Sequence, residues 1–298
     1  MHKRHLFLLL AALFAMTACS TGLFQPDPTA TPLPTATPIP TATPEPTAVP
    51  EGYIEGWELV WQDEFEGTEI DLTKWSHEVH GRPANRELQY YTDFPENSFI
   101  EDGNLVIQAL EEKYIGRNYT SARIRTLGKG DWKYGRFESR MRLPEGQGIW
   151  PAFWMLPTAW KYGGWPASGE IDIMEMVGHQ PGKVHGTLHY GGLGNRIFTG
   201  DDYDLPAGEK FIDDFHVFAV EWEEGEIRWY IDGELVQTQN KWETKNKEFP
   251  APFDEEFHII LNLAVGGQWP GSPDETTVFP QQLVVDYVRV YQRPESSD

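Results

Sequence analysis

Ile227-Arg-Trp-Tyr-Ile-Asp-Gly-Glu-Leu-Val-Gln237 reads as two short strands joined by Asp232-Gly233, a pair suited to a type I′ hairpin turn. The sequence around it has the same texture. Phe215-His-Val-Phe-Ala-Val-Glu-Trp222 is strongly β-prone, and Phe257 to Val265 and Leu283 to Tyr291 are two more apolar strands. Phe137, Ser139, Met141 and Leu143 alternate with Arg136, Glu138, Arg140 and Arg142, the period of a half-buried strand. Long amphipathic helical periods are almost absent. Many short strands separated by Gly, Pro, Asn and Asp turns predict an all-β sandwich or barrel rather than an α/β fold. Nothing resembles a P-loop or a dinucleotide fingerprint.

Chemistry concentrates in Ser168-Gly-Glu-Ile-Asp-Ile-Met-Glu-Met-Val-Gly178. In a strand, Glu170 and Asp172 share a face, while Glu175 is out of phase by one residue. A β-bulge that absorbs one residue, expected at Met174, returns Glu175 to the acidic face. Four strand steps then span roughly 13 Å between Cα atoms, and inward-leaning side chains leave about 5–6 Å between the two Glu carboxyls. That spacing favours the retaining mode of glycoside cleavage, which needs about 5–5.5 Å, over the inverting mode, which needs about 6.5–9.5 Å. Adjacent like charges also make one carboxyl hold its proton more tightly, as a general acid must. The competing reading is a solvated acidic strand edge.

Aromatic residues flank this run. Trp150 and Trp154 precede it, Trp165 sits in the loop leading into it, and Trp269 lies in a later Gly/Pro-rich loop. Such faces stack on the C–H faces of sugar rings. Core packing is the competing reading, strongest for Trp154. His185 and His189, four apart, would share a strand face. No third His or Cys is placed to complete a zinc site. His189 beside a catalytic carboxyl, tuning its proton, is the better functional reading, against a purely structural histidine.

The N-terminus reads as an export signal over residues 1–19. Lys3 and Arg4 precede the apolar run Leu6 to Met16, which is too short to span a bilayer. Ala18-Cys19-Ser20 holds the only cysteine and resembles a bacterial lipoprotein signal, with Cys19 the expected lipidation site. Met16, three positions before it, is less usual and leaves ordinary secretory cleavage as the alternative. The expected location is outside the cytoplasm, lipid-anchored or secreted. Residues 20–50 form a linker in which Thr-Ala-Thr-Pro-x-Pro recurs from Thr29, Thr35 and Thr41. Proline makes its Pro-rich part, residues 24–50, extended and semi-rigid, a stalk of up to roughly 80 Å. Residues 51–298 then form the catalytic domain. They carry the whole formal charge of −22, because the first fifty residues balance Lys3 and Arg4 against Asp27 and Glu45. A surface this acidic argues against nucleic acid, and limits membrane contact to the lipid anchor.

With these pieces together the chain resembles glycoside hydrolase family 16, and within it the bacterial laminarinase-like endo-β-1,3-glucanases. The resemblance rests on Trp61-Gln-Asp-Glu-Phe-Glu-Gly67, Asn85-Arg-Glu-Leu-Gln-Tyr-Tyr91, Gly135-Arg-Phe-Glu-Ser-Arg140 and Gly148-Ile-Trp-Pro-Ala-Phe-Trp154. It continues through the acidic run, His185-Gly-Thr-Leu-His189, Asn262-Leu-Ala-Val-Gly-Gly267 and Asp286-Tyr-Val-Arg-Val-Tyr291. The inserted Met174 is similar to the laminarinase type. The resemblance implies a jelly-roll sandwich of two antiparallel sheets with a concave substrate cleft. It implies Glu170 as nucleophile, Glu175 as general acid/base, Asp172 between them and His189 near Glu175. Asn85, Arg140, Trp150, Trp154 and Trp269 would line the glycone side of the cleft. It implies no catalytic cofactor, and a structural calcium at Glu64, Gly103 and Asp286, through carbonyls and the Asp286 carboxylate. The expected substrate is β-1,3-glucan, with some mixed-linkage activity, cleaved by a monomer. The alternatives are the same chemistry on a galactan, or a glucan-binding protein without catalysis. Three intact carboxylates disfavour the second.

Overall fold

The computed structural model describes residues 52–294 apart from 246, all within a unit spanning Val49–Asp298. The export signal, Cys19 and the Pro/Thr-rich linker lie outside the described residues. Among those residues every regular element is a strand. In chain order they are β1 (Glu58–Asp63), β2 (Ser76–His77), β3 (Gln89–Tyr91), β4 (Ser98–Glu101), β5 (Asn104–Tyr114) and β6 (Arg117–Ser121). Next come β7 (Arg123–Arg125), β8 (Asp131–Trp132), β9 (Gly135–Arg142), β10 (Ile149–Pro157), β11 (Glu170–Glu175) and β12 (Lys183–Gly192). The last are β13 (Asn195–Asp204), β14 (His216–Glu223), β15 (Glu226–Ile231), β16 (Glu234–Gln239), β17 (Phe257–Val265) and β18 (Gln281–Gln292).

They form a jelly-roll sandwich. One sheet has the order β16-β15-β14-β9-β18-β5-β6-β3, with β1 beside β18 and β4 beside β5. The other has the order β13-β12-β11-β10-β17-β7-β2, with β8 beside β17. Pairing is antiparallel except between β3 and β6, which run parallel. The β15–β16 hairpin turns through Asp232 (φ 50°) and Gly233 (φ 82°), the two left-handed residues that a type I′ turn requires.

Alternation decides what each strand gives to the core. In β9, Phe137 and Met141 are fully buried between the sheets, and Arg136, Glu138 and Arg140 leave by the opposite face. In β17 every residue is buried. Its odd-numbered side chains Ile259, Leu261, Leu263 and Val265 enter the core, so Asn262 and Ala264 lie under the concave face. Trp222 of β14 ties the two sheets. Its ring centroid lies 5.2 Å from Phe257 across the sandwich and 6.2 Å from Phe137 beside it. Aromatic contacts of this kind contribute about 0.5–1.5 kcal/mol each beyond area burial. The eight-stranded sheet is thereby held with its outer face free as a cleft.

Candidate active site

The acid cluster comes from β11. Asp172 pairs with Thr187 and Glu175 with His185, so Ile173 and Met174 together oppose the single residue Gly186. This is the expected bulge, with one correction. Against β10, Met174 keeps a partner, Phe153, and Ile173 is the residue skipped. Both Ile173 and Met174 are buried in the core. The bulge therefore turns two apolar side chains inward in succession, and both Glu170 and Glu175 face the cleft with Asp172 between them.

Two residues that sequence reasoning missed hold the bulge. Trp229 reaches over from β15 of the other sheet, and its Nε1 donates to the Asp172 carbonyl at 2.8 Å. A bulge disrupts the ladder locally, and a donor from the other sheet helps satisfy a buried carbonyl beside it. The indole lies against Gly186, where a Cβ would come within 2.5 Å of Trp229 Cδ1. Any side chain there would push the indole off the bulge.

Each Glu carboxyl has a tryptophan donor. Trp165 Nε1 donates to Glu170 Oε2 at 2.8 Å, and Trp150 Nε1 donates to Glu175 Oε1 at 3.0 Å. The loop carrying Trp165 is pinned by Ser168, whose Oγ accepts from the Tyr162 N–H at 3.0 Å and donates to the Gly163 carbonyl at 2.6 Å. Trp269 stands edge-on to Trp150 at 5.4 Å, with His185 packed on it at 5.0 Å. Its loop is tied to the Asn85 turn, since the Gln268 N–H donates to the Asn85 carbonyl at 2.9 Å. Asn85 is left-handed there (φ 54°), a conformation asparagine tolerates better than most residues.

The floor beside these groups is a connected polar network. Trp154 Nε1 donates to Asn262 Oδ1 at 2.7 Å, and Asn262 Nδ2 donates to the Tyr91 hydroxyl at 3.2 Å. Tyr91 donates in turn to Glu87 Oε2 at 3.3 Å, and Gln89 Nε2 donates to the same oxygen at 2.7 Å. Arg123 of β7 stacks its guanidinium on Trp154 at 4.7 Å and pairs with Glu78 at 2.8 Å. The cleft encloses about 240 Å³.

The structure thus brings together Asn85, Trp150, Trp154, Trp165, Glu170, Asp172, Glu175, His189 and Trp269. It does not bring Arg140. That side chain leaves the outer face of the ten-stranded sheet, pairs with Asp286 at 2.6 Å and stacks on Phe215 at 4.6 Å. The core-facing places on β9 belong to Phe137 and Met141, so Arg140 cannot reach the cleft. Arg123 does line the cleft beside the acid cluster. His189 also departs from expectation. Register places it opposite Glu170, and Nε2 lies 3.9 Å from Glu170 Oε1 and 3.1 Å from Asp172 Oδ2, the latter without hydrogen-bond alignment. Glu175 faces His185 instead, because the bulge offsets the register by one residue.

Burial governs the electrostatics. It raises Asp172 well above the carboxylate range, and burial followed by the Asp172 charge does the same to Glu170. Burial and then Asp172 push Glu175 up to about 8, against the pull of His189 and the Trp150 N–H. Three charges this close in a poorly solvated site cannot all ionise, so the cluster keeps protons at neutral pH. The His189 imidazole, 3.9 Å from Glu170, and the Trp165 N–H both favour the anion there, against the larger effects of burial and of Asp172. All three carboxyls are raised, so the protons belong to the cluster as a coupled unit in which Glu175 is pushed up to about 8.

The raised Glu175 value bears on stability. Glu175 binds its proton more tightly folded, at about 8, than at the ordinary value of 4.5, so its contribution to stability is lost as pH rises across that window. Glu175→Gln cannot ionise. Its melting temperature should match wild type near pH 4.5 and exceed it by roughly 10 °C above pH 8. Parallel melting profiles at all pH values would contradict the raised pKa.

Among the described residues, the one tight group of metal-ligand side chains is Glu170, Asp172 and His189, with ligand atoms within 4.8 Å of one another. It coincides with the acid cluster. Glu64, Gly103 and Asp286 lie elsewhere, near where β1 ends and β5 begins alongside β18. Both Glu64 carboxylate oxygens are held by Arg289, and Asp286 is held by Arg140. The latter pair is more than a third exposed and contributes at most about 1 kcal/mol, so a cation could displace Arg140 from Asp286. Two backbone carbonyls and a carboxylate are the hard-oxygen chemistry that calcium takes.

Comparison with known proteins agrees with this geometry. The family model for glycosyl hydrolases family 16 matches residues 86–289. A beta-glucanase of Rhodothermus marinus is 48% identical over 246 residues, covering 79% of this chain and 85% of the relative. A glucan endo-1,3-beta-glucosidase of Cryptopygus antarcticus is 40% identical over 252 residues, covering 78% and 91%. The catalytic domain of an endo-1,3-beta-glucanase (laminarinase) from Thermotoga petrophila superimposes with a TM-score of 0.73 at 45% identity, covering 81% of this chain and all of that one. A bulged E-x-D-x-x-E strand on the concave face of a jelly roll, lined by tryptophans and matched over most of its length by these relatives, places the chain in glycoside hydrolase family 16.

Proposed function

We propose that the protein is a retaining endo-β-1,3-glucanase acting on laminarin-type glucan, with some action on mixed-linkage β-1,3-1,4-glucan. The observation that carries this is the placement of Glu170 and Glu175 on one cleft wall, each held by a tryptophan N–H and separated by buried Asp172. Glu175 protonates the glycosidic oxygen as Glu170 attacks the anomeric carbon. Water deprotonated by Glu175 then releases the sugar from Glu170. Beyond the acid cluster, Glu87 and His189, the cleft is lined by aromatic and amide groups, and its one lining arginine, Arg123, is already paired to Glu78, so nothing in it calls for an anionic polymer. It is also complete in one chain, which supports a monomer.

A reducing-sugar assay on laminarin, lichenan, agarose and xyloglucan tests the reading. Laminarin should be cleaved fastest, and preference for agarose would move the substrate to a galactan. Activity should fall above about pH 8 as Glu175 loses its proton. A structural calcium at Glu64, Gly103 and Asp286 belongs to the same reading, and a melting temperature unmoved by chelation would remove it. Anchoring through Cys19 is supported by the short apolar run before it. Radiolabelled palmitate that fails to distinguish wild type from Cys19→Ser would remove that too.

A further inference from the structure

The eight-stranded sheet continues past the acid cluster. On the side of β11 away from Trp150 and Trp154 lie β12 and then the edge strand β13. Register places Phe198 of β13 directly opposite His189 of β12, so the two side chains leave the same face. That face is the cleft, because His189 approaches Asp172 and Glu170. Ile197, on the other face, packs against the core.

Phe198 is 73% exposed. A lone exposed phenylalanine would need no explanation. This one ends a series of rings. Its centroid is 6.1 Å from that of His189 with planes at 39°, and His189 is 6.0 Å from Trp165 with planes at 42°. Trp165 is the residue whose N–H holds Glu170. Arg196, two residues before Phe198 and so on the same face, sets its guanidinium 5.0 Å over Trp165 and restrains that ring. The strip therefore begins at the nucleophile and runs across two strand spacings, roughly 10 Å, to the edge of the sheet.

We propose that Phe198 is the outer end of a sugar-stacking subsite that takes the neutral glucan chain beyond the units flanking the cleaved bond. The proposal rests on the glucanase reading above and extends it. An aromatic face offers the C–H side of a sugar ring an apolar surface without asking for charge or a fixed hydrogen bond. Phe198 has no group that could move a proton, and a contact this far from the reacting atoms is made equally in ground and transition states. It therefore acts on KM for long chains and leaves kcat alone.

The test is a series of β-1,3-gluco-oligosaccharides of increasing length, with wild type, Phe198→Ala and Phe198→Trp. Phe198→Ala should lose about 3- to 10-fold in kcat/KM on the longest oligomers, through KM, with the loss shrinking toward the shortest oligomer cleaved. Phe198→Trp should restore it, and the pH profile of kcat should stay in place. An equal loss at every length, a displaced pH profile, or no loss at any length would overturn the subsite. The first two results would make Phe198 a mere prop for His189. If wild type cleaves another polymer in place of laminarin, the glucanase reading fails on its own, and the same length series made from that polymer decides the subsite.

Discussion

Glu170→Ala should lower laminarin hydrolysis by about 10⁴-fold or more while oligosaccharide binding persists. The carboxylate forms the bond to the anomeric carbon, and no neighbour can substitute for it. Asp172 is 1% exposed beneath the cluster, and Glu175 is held on the far side by Trp150. Added azide gives the stronger test, because stereochemistry separates the two roles. In Glu170→Ala, azide can enter the space left by the carboxylate and attack once, which yields the α-glycosyl azide from a β-linked activated substrate. In Glu175→Ala, Glu170 still forms the covalent intermediate, and azide then displaces it with a second inversion to the β-product. The assignment fails if the anomers come out the other way round, or if Glu170→Ala keeps substantial turnover without azide.

Deleting Met174 should cut kcat on laminarin by roughly 100-fold and lower the melting temperature by roughly 5–15 °C. The thermal effect follows from the loss of a fully buried side chain. The catalytic effect follows from the strand. Without the bulge, β11 becomes a regular E-x-D-x-E run that still presents an acidic face. However, the Asp172 carbonyl returns to the ladder and Trp229 loses its acceptor. Glu175 then sits at a changed angle to Trp150, and a displacement near 1 Å is enough to cost two orders of magnitude. Trp229→Phe separates the two effects. It keeps the packing and removes only the donor, so it should destabilise by about 1–3 kcal/mol and lower kcat with little change in KM. In the deletion variant the same substitution should add nothing to the kcat loss. Unchanged laminarin kinetics on deleting Met174 would show that the bulge does not set the geometry.

Much of the fold was legible because alternation is a local property. The hairpin at Asp232-Gly233 and the inward set Phe137, Met141 and Leu143 were readable from residue type alone. So were the three carboxylates and the need for a bulge, since period two leaves Glu175 on the wrong face. Arg140 shows where this stops. Its place on one face of β9 was legible, but not that β9 belongs to the sheet without the cleft. Arg123, in the three-residue strand β7, carries the same local signal in Arg123-Ile-Arg125 and lies on the cleft side.

The amino-acid sequence by itself determined the β class, the acidic run with its phase error and the tryptophans around it. Periodicity, turn chemistry and charge repulsion act over a few residues and need no partner. Tertiary structure alone decided that His189 approaches Asp172 and Glu170 while His185 faces Glu175. Two histidines four apart are equivalent along their own strand, and only cross-strand register, offset by the bulge, distinguishes them. It alone also brought Trp229 to the Asp172 carbonyl, 57 positions away along the chain. A hydrogen bond between two sheets depends on how they stack, which no local pattern encodes.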